Sequence, residues 1–329
     1  MQTQLMPCTY PPAAVRWNAC NFTDIDEQAA ALRGWNQRYL QISAGKFQGE
    51  VRRFELPGVG LFWEDLQQSV HQTGQVRPDV VALGVPVTLQ GDYQFCGAPG
   101  NASALHVFSG DNGFEFRSPQ RHVMLGMEVD RTLFESQVGD AGGLASRAHL
   151  HLANAQATAG LRSFLLDLLD AAAEHPQQLH TPLQQAQARD ELLCRLCTAM
   201  EPTLGASAPL HHHLGAHTVL ASRAQELAAS RLDNPPTVAE LCNLLGVSRR
   251  TLQNCFHATW GMGPLAWLNL LRLNAARVRL KTADSVTDAA TQLGFWHFGH
   301  FAHSYEELFG ELPSQTLRRQ RGTSAVVRH

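Results

Sequence analysis

The sequence lacks the features of membrane, secreted and disordered proteins. No stretch of its 329 residues approaches the roughly 20 apolar residues that a membrane span needs, and the longest candidate, residues 80–89, contains Gly84 and Pro86. The first residues contain no basic segment followed by an apolar one, so a secretory signal is not expected. With 44% hydrophobic residues and no low-complexity run, the chain is predicted to form packed domains.

Cysteines and the short motifs of enzyme chemistry are also scarce. Seven cysteines without a framework spacing are typical of a reducing compartment, so we expect a cytoplasmic protein. The chain contains no Gly-rich phosphate loop and no Gly-x-Ser-x-Gly motif. Cys194 and Cys197 lie in a leucine-rich stretch and are predicted to pack in a helix core rather than to bind zinc with His211–His213. His106 and His122 are isolated on predicted strands, so no metal centre is expected.

A net charge of -3 argues, taken alone, against a protein that binds nucleic acid. Its distribution argues the opposite, because residues 217–329 contain 12 Arg and Lys against 8 Asp and Glu. The other 216 residues contain 14 basic and 21 acidic side chains, which gives +4 for the C-terminal part and -7 for the rest. Such an asymmetry is typical of a module that faces nucleic acid joined to a module with a different task.

The N-terminal part predicts one helix followed by many short strands. Residues 24–42 are predicted to be helical, with Asp24 as the cap and Leu32, Trp35 and Tyr39 at helical spacing. From residue 49 onward, short apolar runs alternate with Gly, Pro, Asn and Asp, a spacing typical of a β-barrel or jelly roll. The predicted strands are 50–56, 60–63, 80–85, 93–96, 105–108, 114–117 and 123–129.

Helical periodicity returns after about residue 146. A leucine stripe runs from Leu161 to Leu169 and ends before Pro176, and residues 192–200 predict a second helix. The stripe is compatible with pairing to its copy in another subunit and equally with closing the barrel. Residues 201–216 predict a linker.

The segment after this linker contains one helical unit twice. Residues 237–240 (Thr-Val-Ala-Glu) match residues 285–288 (Ser-Val-Thr-Asp), and both predict a capping box. Residues 245–247 (Leu-Gly-Val) match residues 293–295 (Leu-Gly-Phe) at the same offset of 48. Each copy predicts a short helix, a glycine turn and a second helix, which is the helix-turn-helix shape that fits the major groove. At an offset of 49, the anchors Leu252, Phe256, Gly261 and Pro264 match Phe301, Tyr305, Gly310 and Pro313.

These units resemble a known family. Residues 272–276 (Arg-Leu-Asn-Ala-Ala), 286–295 (Val-Thr-Asp-Ala-Ala-Thr-Gln-Leu-Gly-Phe) and 309–314 (Phe-Gly-Glu-Leu-Pro-Ser) resemble the signature of AraC/XylS-type transcription regulators. Residues 294–302 (Gly-Phe-Trp-His-Phe-Gly-His-Phe-Ala), together with Trp35 and residues 45–50, resemble regulators of ethanolamine-utilisation operons. The narrower resemblance implies control of an amine-catabolism operon, with ethanolamine, another small amine or cobalamin as effector.

The first unit carries the clearest DNA-contacting residues. Ser248 is the predicted N-cap of the recognition helix, and Leu252 and Phe256 must point inward. Arginine commonly reads guanine edges, whereas glutamine and asparagine read adenine. Arg249 is expected to meet phosphate, and the family resemblance places base readers at Arg250, Gln253 and Asn254. The predicted DNA-contacting set of this unit is Arg249, Arg250, Thr251, Gln253 and Asn254.

The second unit departs from the usual family pattern, because Phe298 and Gly299 replace polar readers. Glycine within a helix costs about 1 kcal/mol relative to alanine, so Gly299 predicts a close backbone approach to DNA or to a neighbouring helix. Backbone and shape contacts are expected to dominate here, and Trp296 is expected to pack against the preceding helices. The remaining predicted DNA contacts are His297, His300 and His303.

The predicted fold class is α+β. Residues 1–145 would form a β-barrel or jelly-roll (cupin-like) sensor domain with an N-terminal helix, and residues 146–216 a helical connector with a linker and a candidate homodimer surface. Residues 217–329 would form an all-α DNA-binding domain with two helix-turn-helix units. The mouth of the barrel is the expected effector pocket. The candidate effector-binding residues are Phe62, Trp63, Tyr93 and Phe95.

The predicted function is an effector-responsive transcription regulator, most simply an activator, without a catalytic site, a metal or a bound cofactor. Its expected partners are double-stranded promoter DNA, a small-molecule effector and RNA polymerase, with no membrane. Effector binding would alter segment 146–200 and thereby the presentation of residues 217–320. One alternative is a cupin-like metalloenzyme barrel with an accessory DNA-binding domain. Another is a protein-interaction module that has lost DNA binding, which Phe298 and Gly299 would allow.

Overall fold

The N-terminal part of the computed structural model consists of two antiparallel sheets. The structure describes residues 17–100, 103–109, 113–140, 149–151, 155–204 and 216–326. The strands are β1 (Trp17–Phe22), β2 (Trp35–Gln41), β3 (Gly49–Leu56), β4 (Val59–Leu66), β5 (Val70–Val76), β6 (Val80–Gln90), β7 (Gln94–Phe95), β8 (Ala98–Pro99), β9 (Ala104–Val107), β10 (Phe114–Arg117), β11 (Arg121–Asp130) and β12 (His149–His151).

Seven strands pair in the order β1-β3-β4-β11-β6-β9-β12, and five pair in the order β2-β5-β10-β7-β8. The prediction of a sheet-rich N-terminal region is therefore confirmed. The strands of the described ranges pair as two separate sheets, so the closed barrel is not shown. All seven predicted strands overlap observed ones, whereas β1, β2, β5, β8 and β12 were not predicted.

The predicted helix over residues 24–42 is wrong beyond its first two turns. Helix α1 (Ile25–Ala31) begins at the predicted cap, Asp24, but Gly34 then adopts a φ of +84° and the chain continues as β2. Trp35 and Tyr39, four residues apart, share one face of a strand as readily as one face of a helix. Both side chains are buried, and their polar atoms donate to buried carboxylates, Trp35 Nε1 to Glu128 at 2.7 Å and Tyr39 OH to Glu64 at 2.8 Å.

The leucine stripe closes one face of the seven-stranded sheet. Helices α2 (Arg131–Gln137), α3 (Ala155–Glu174) and α4 (Pro182–Leu204) follow the strands, and a short 3-10 turn joins the last two. Leu161, Leu165 and Leu168 share one buried cluster with Leu83 and Met127 of the sheet. Of the two roles left open for the stripe, packing against the sheet is therefore the one observed.

The cysteine pair of α4 is not part of this core. Cys194 is exposed, and the half-buried Cys197 donates its Sγ–H to the carbonyl oxygen of Gln137 at 3.1 Å. The expectation of core packing was wrong because the two cysteines lie beside the buried leucine face of the helix and not on it. Residues 211–213 lie outside the described part of the chain. Within that part, no three His, Cys, Asp or Glu side chains lie close enough together to hold a metal ion.

The C-terminal part is entirely helical in its described residues. Its helices are α5 (Ala216–Ala229), α6 (Val238–Leu245), α7 (Arg249–Trp260), α8 (Pro264–Leu280), α9 (Val286–Thr291), α10 (Phe298–Phe309) and α11 (Pro313–Val326). They share a second buried cluster that includes Leu252, Trp267 and Phe301. No helix in the described ranges has the length and apolar character that crossing a membrane requires.

Candidate nucleic-acid interface

Helices α6 and α7 form the first helix-turn-helix unit, and α9 and α10 form the second. Thr237 and Glu240 cap α6 reciprocally, with Glu240 N donating to Thr237 Oγ1 at 3.2 Å and Thr237 N to Glu240 Oε2 at 2.7 Å. The second predicted capping box is only half formed. Ser285 accepts from Asp288 N at 3.0 Å, but Asp288 accepts from Gln292 instead of reaching back to the cap.

The turns depend on glycines in the left-handed region. Gly246 and Gly294, at the two turns, have φ values of +66° and +71°. Gly261 and Gly310 end the two longer helices at +72° and +64°. Because side chains with a Cβ rarely adopt these angles, the repeated glycines fix where each helix ends. The repeat that the sequence predicted is therefore present in the backbone.

Helix α7 presents its start to solvent. The Ser248 side chain caps the helix by accepting from Thr251 N at 3.0 Å, and Leu252 and Phe256 are fully buried, as predicted. The remaining side chains of the first turns form an exposed polar face without any acid in the first turn. This face consists of Arg249, Arg250, Thr251, Gln253 and Asn254, all exposed. The arrangement suits insertion into a major groove, because the first turns of a recognition helix make the base contacts.

Helix α10 presents a different surface. Phe301 and Tyr305 are buried, and His297, His300 and His303 are exposed. Trp296 is 72% exposed, so the expectation that it packs against the preceding helices is wrong.

Phe295, and not Trp296, packs against the rest of the helical part. Its ring lies 4.8 Å from that of Phe301 and 4.1 Å from the Arg272 guanidinium carbon. Arg272 also donates to the carbonyl oxygens of Leu293 and Gly294 at 2.9 and 2.7 Å, which fixes the second turn. This role of Arg272 could not be read from the sequence, because its partners become neighbours only in the fold.

The N-terminal sheets contact the opposite, C-terminal ends of both α7 and α10. Gln94 Nε2 donates to the carbonyl oxygen of Ala258 near the end of α7 at 3.3 Å. At the end of α10, the carbonyl oxygen of Leu308 accepts from Gln41 Nε2 at 2.8 Å and from Gly45 N at 3.0 Å. The contact between the sheets and the C-terminal helices, called the domain contact below, therefore leaves the starts of both helices exposed.

Ion pairs bury charge at one side of the domain contact. Arg277 of α8 is 2% exposed and donates to Glu311 at 3.0 Å and to Asp24 at 3.3 Å. Lys281 pairs with both Asp24 and Asp26, the latter at 2.6 Å. Burial raises the pKa of Asp24, but the hydrogen bond from Lys281 and the charge of Arg277 outweigh it, so the pKa lies below its usual value.

A histidine anchors another part of the domain contact. His71 of β5 is buried, hydrogen-bonds Glu115 of β10 at 2.8 Å and lies with its ring 5.3 Å from Trp267. Trp267 stacks on Trp260 with their ring centroids 4.1 Å apart. Burial raises the pKa of Glu115, but the hydrogen bond and charge of His71 outweigh that effect and lower it. β5, which the sequence did not predict, is thus one of the strands that contact the C-terminal helices.

The candidate effector-binding residues divide between two surroundings. Phe62, Tyr93 and Phe95 share one buried aromatic cluster. Trp63 lies on the other face of β4, is only partly buried and has the Arg52 guanidinium 5.4 Å from its ring. Of these four candidates, Tyr93 lines a cavity of about 630 Å³.

The cavity beside Tyr93 has walls from both parts of the chain. The walls come from the sheets and from the C-terminal end of α7. It lies at the domain contact rather than inside a barrel. The lining residues include Leu89, Asp92, Tyr93, Gln94, Arg117 and His257.

Comparison with known proteins identifies the helical units. A family profile described as a helix-turn-helix domain matches residues 241–319. The probable thc operon regulatory protein of Rhodococcus erythropolis is 27% identical over 281 residues, which cover 79% of each chain. XylDLEGF operon transcriptional activator 1 of Pseudomonas putida is 30% identical over 166 residues, 42% of this chain and 49% of that protein.

One similar solved structure covers about a third of the chain. The probable AraC family transcriptional regulator of Rhodopseudomonas palustris CGA009 is 33% identical over 31% of this chain and 97% of its own, with a TM-score of 0.30. The matched profile covers most of the first helix-turn-helix unit and all of the second. The relatives are regulators of transcription, which favours this function over the metalloenzyme alternative. The chain is therefore a regulator of transcription with a helix-turn-helix DNA-binding domain in its C-terminal part, and it is similar to regulators of the AraC family.

Proposed function

We propose that this regulator binds a small-molecule effector in the cavity beside Tyr93 and activates an amine-catabolism operon in the cytoplasm. The observation that carries the proposal is the double lining of the cavity, by the sheets and by His257, Ala258 and Gly261 at the end of α7. A ligand that contacts both parts of the chain makes different contacts when the two parts are arranged differently, so its affinity differs between these arrangements. This difference in affinity couples ligand binding to the conformational equilibrium.

The cavity contains groups suited to a polar ligand. Its volume of about 630 Å³ lies in the range of small-molecule sites. Arg117 Nε is buried and has no hydrogen-bond partner among the described residues, so it would donate to an acceptor on a ligand. Burial lowers the pKa of Arg117, and the negative charge of Asp92 partly opposes that effect.

An amino alcohol fits the pair of Asp92 and Arg117. Its ammonium group would face the Asp92 carboxylate, while its hydroxyl oxygen would accept from Arg117. The volume exceeds what a two-carbon amine needs, so larger amines belong in the same test. Cobalamin is included only because the resemblance to ethanolamine-operon regulators implies it. The resemblance of residues 294–302 and 45–50 to ethanolamine-operon regulators supports this choice of compounds.

The route of the signal proposed here differs from the one expected from the sequence. Segment 155–204 packs on the seven-stranded sheet and shares its core. The sheets contact α7, α8 and α10 directly instead. Effector binding would therefore shift the end of α7 through Gln94 and Ala258, with promoter DNA and RNA polymerase as the partners that read the change. The P. putida relatives are operon transcriptional activators, which supports activation rather than repression.

A thermal-shift screen with ethanolamine, longer amines and cobalamin tests the proposal. An effector present at 100 times its Kd should stabilise the protein by about 2.7 kcal/mol. Arg117→Ala and Asp92→Asn should remove the shift, whereas Arg33→Ala, an exposed arginine remote from the cavity lining, should retain it. If no compound shifts the melting temperature, or if the shift persists in both cavity variants, the effector proposal fails.

A further inference from the structure

The start of α10 carries an exposed aromatic surface. Trp296 is 72% exposed and Phe298 is 42% exposed, and both precede or begin the helix that occupies the second recognition position. The two aromatic side chains stand two residues apart in the sequence, and exposed apolar surface of this kind commonly marks a binding site. The surface formed by Trp296 and Phe298 is called the aromatic patch below.

The internal repeat shows which residues of the first unit correspond to the residues at the start of α10. The offset of 49 that superimposes Leu252 on Phe301 also places Phe298 opposite Arg249 and Gly299 opposite Arg250. In the first unit these two positions carry the exposed guanidinium groups predicted to meet DNA. The second unit presents an aromatic ring and a bare backbone at the same places.

Packing among the described residues does not require Gly299. A Cβ added at this position would have no neighbour within 4 Å in that part of the chain, and its φ is not in the left-handed region. A glycine in a helix costs about 0.5–1 kcal/mol relative to alanine. The sequence left two explanations for this glycine, a close approach to a neighbouring helix or to DNA. Because no described helix packs against this position, the structure favours an approach by a molecule outside the chain.

DNA is the occupant that the surroundings favour. The first turn of α10 contains no acid, and His297, His300 and His303 are exposed around the patch. The apolar feature of base edges in the major groove is the 5-methyl group of thymine, which apolar side chains contact.

We propose that the second recognition helix reads thymine methyl groups with Phe298 and Trp296, and that Gly299 lets the helix backbone approach the base edges. The two units would then read DNA by different chemistry, charged hydrogen bonding in α7 and apolar contact in α10. This inference rests on the DNA-binding function of the chain and adds the base class that the second unit recognises.

Thymine-to-deoxyuridine exchange tests the inference directly. The operator is first mapped by footprinting, and each thymine in the segment next to α10 is then replaced by deoxyuridine, which removes only the methyl group. Loss of one buried methyl should weaken wild-type binding by about fourfold. Phe298→Ala should weaken binding to the thymine operator and show no further loss on exchange at the same site, whereas Phe298→Leu should retain part of the discrimination.

Gly299→Ala provides a second readout. The variant should melt at a higher temperature, because alanine favours the helix, while its affinity for the operator falls. Equal binding of thymine and deoxyuridine operators by the wild type would overturn the inference, as would unchanged affinity of Phe298→Ala and Trp296→Ala. If these variants bind normally while Arg250→Ala loses binding, DNA recognition stands and the patch has another occupant, such as a protein.

Discussion

Asn274 in α8 and Gln41 in β2 exchange two hydrogen bonds across the domain contact. Gln41 N donates to Asn274 Oδ1 at 2.9 Å, and Asn274 Nδ2 donates to the carbonyl oxygen of Gln41 at 3.1 Å. Because β2 is the edge strand of its sheet, the carboxamide satisfies backbone groups that another strand would otherwise pair. The helix between the two helix-turn-helix units is thus tied to the sheets through a backbone-like contact.

Replacing Asn274 by alanine should destabilise the folded chain by about 1–3 kcal/mol, because two buried backbone groups of Gln41 lose their partner. Chemical denaturation followed by tryptophan fluorescence would measure the change. Asn269→Ala, on the same helix and with only partial burial, is the control and should cost less. Equal losses in the two variants would show that the paired contact contributes nothing specific.

Gly310 and Gly261 offer a matched pair at the ends of α10 and α7. Both have positive φ, so alanine at either position carries a strain of roughly 1–2 kcal/mol. A Cβ at Gly310 would also lie 2.7 Å from Lys46 N, whereas one at Gly261 would have no atom of the described residues within 4 Å. Gly310→Ala should therefore loosen the domain contact and Gly261→Ala should not.

Amide hydrogen exchange in β2 and around Lys46 distinguishes these two variants. We expect faster exchange in Gly310→Ala alone. The same exchange in both variants would mean that the end of α10 does not hold the sheets.

Arg277→Met should destabilise the chain by about 3 kcal/mol. Removing one member of a buried ion pair leaves the others without compensation, a loss of about 3–5 kcal/mol. We expect a loss at the lower end of this range, because Asp24 still pairs with Lys281 and Glu311 still pairs with Arg319 in the variant. Arg279→Met, exposed on the same helix, should change the unfolding free energy by less than about 0.5 kcal/mol. If Arg277→Met changed the free energy of unfolding as little as Arg279→Met, the buried ion pairs would not stabilise the fold.

His122 predicts a loss of stability in mild acid. Its ring is buried with neither nitrogen hydrogen-bonded within the described ranges, and burial lowers its pKa from 6.5 to about 3. Below pH 6.5 the imidazole of His122 is protonated in the unfolded chain but stays neutral in the folded chain. The free energy of unfolding is therefore unaffected by this histidine above pH 6.5, and it falls by up to about 1.4 kcal/mol per pH unit between pH 6.5 and pH 3.

The His122→Leu variant isolates this effect in denaturation measured between pH 7 and 4. It should show a flatter dependence of stability on pH than the wild type. His297→Leu, at an exposed position, should keep the wild-type slope. Identical slopes in wild type and His122→Leu would exclude this histidine as the cause.

The helix-turn-helix units could be predicted because their determinants are local. Caps such as Thr237 and Ser248 and the turn glycines act within a few residues, so the chain alone carries them. Strands β2 and β5 could not be predicted in this way. β5 contains the buried polar residues His71 and Gln72, and their burial is explained only by contacts with segments distant in the sequence. The domain contact could not be predicted from the sequence either, because Asp24 and Arg277 become neighbours only in the tertiary fold.

The central claim is that the exposed start of α7 reads DNA bases. Each bidentate base contact contributes about 1–3 kcal/mol of discrimination, so Arg250→Ala and Gln253→Ala should each weaken operator binding about fivefold or more at constant stability. Arg33→Ala, with the same loss of charge as Arg250→Ala, should leave binding unchanged. The most direct measurement is footprinting of the upstream region with wild type and Arg250→Ala. The account predicts a protected sequence that the variant loses; no protection by the wild type, or equal protection by both proteins, would contradict it.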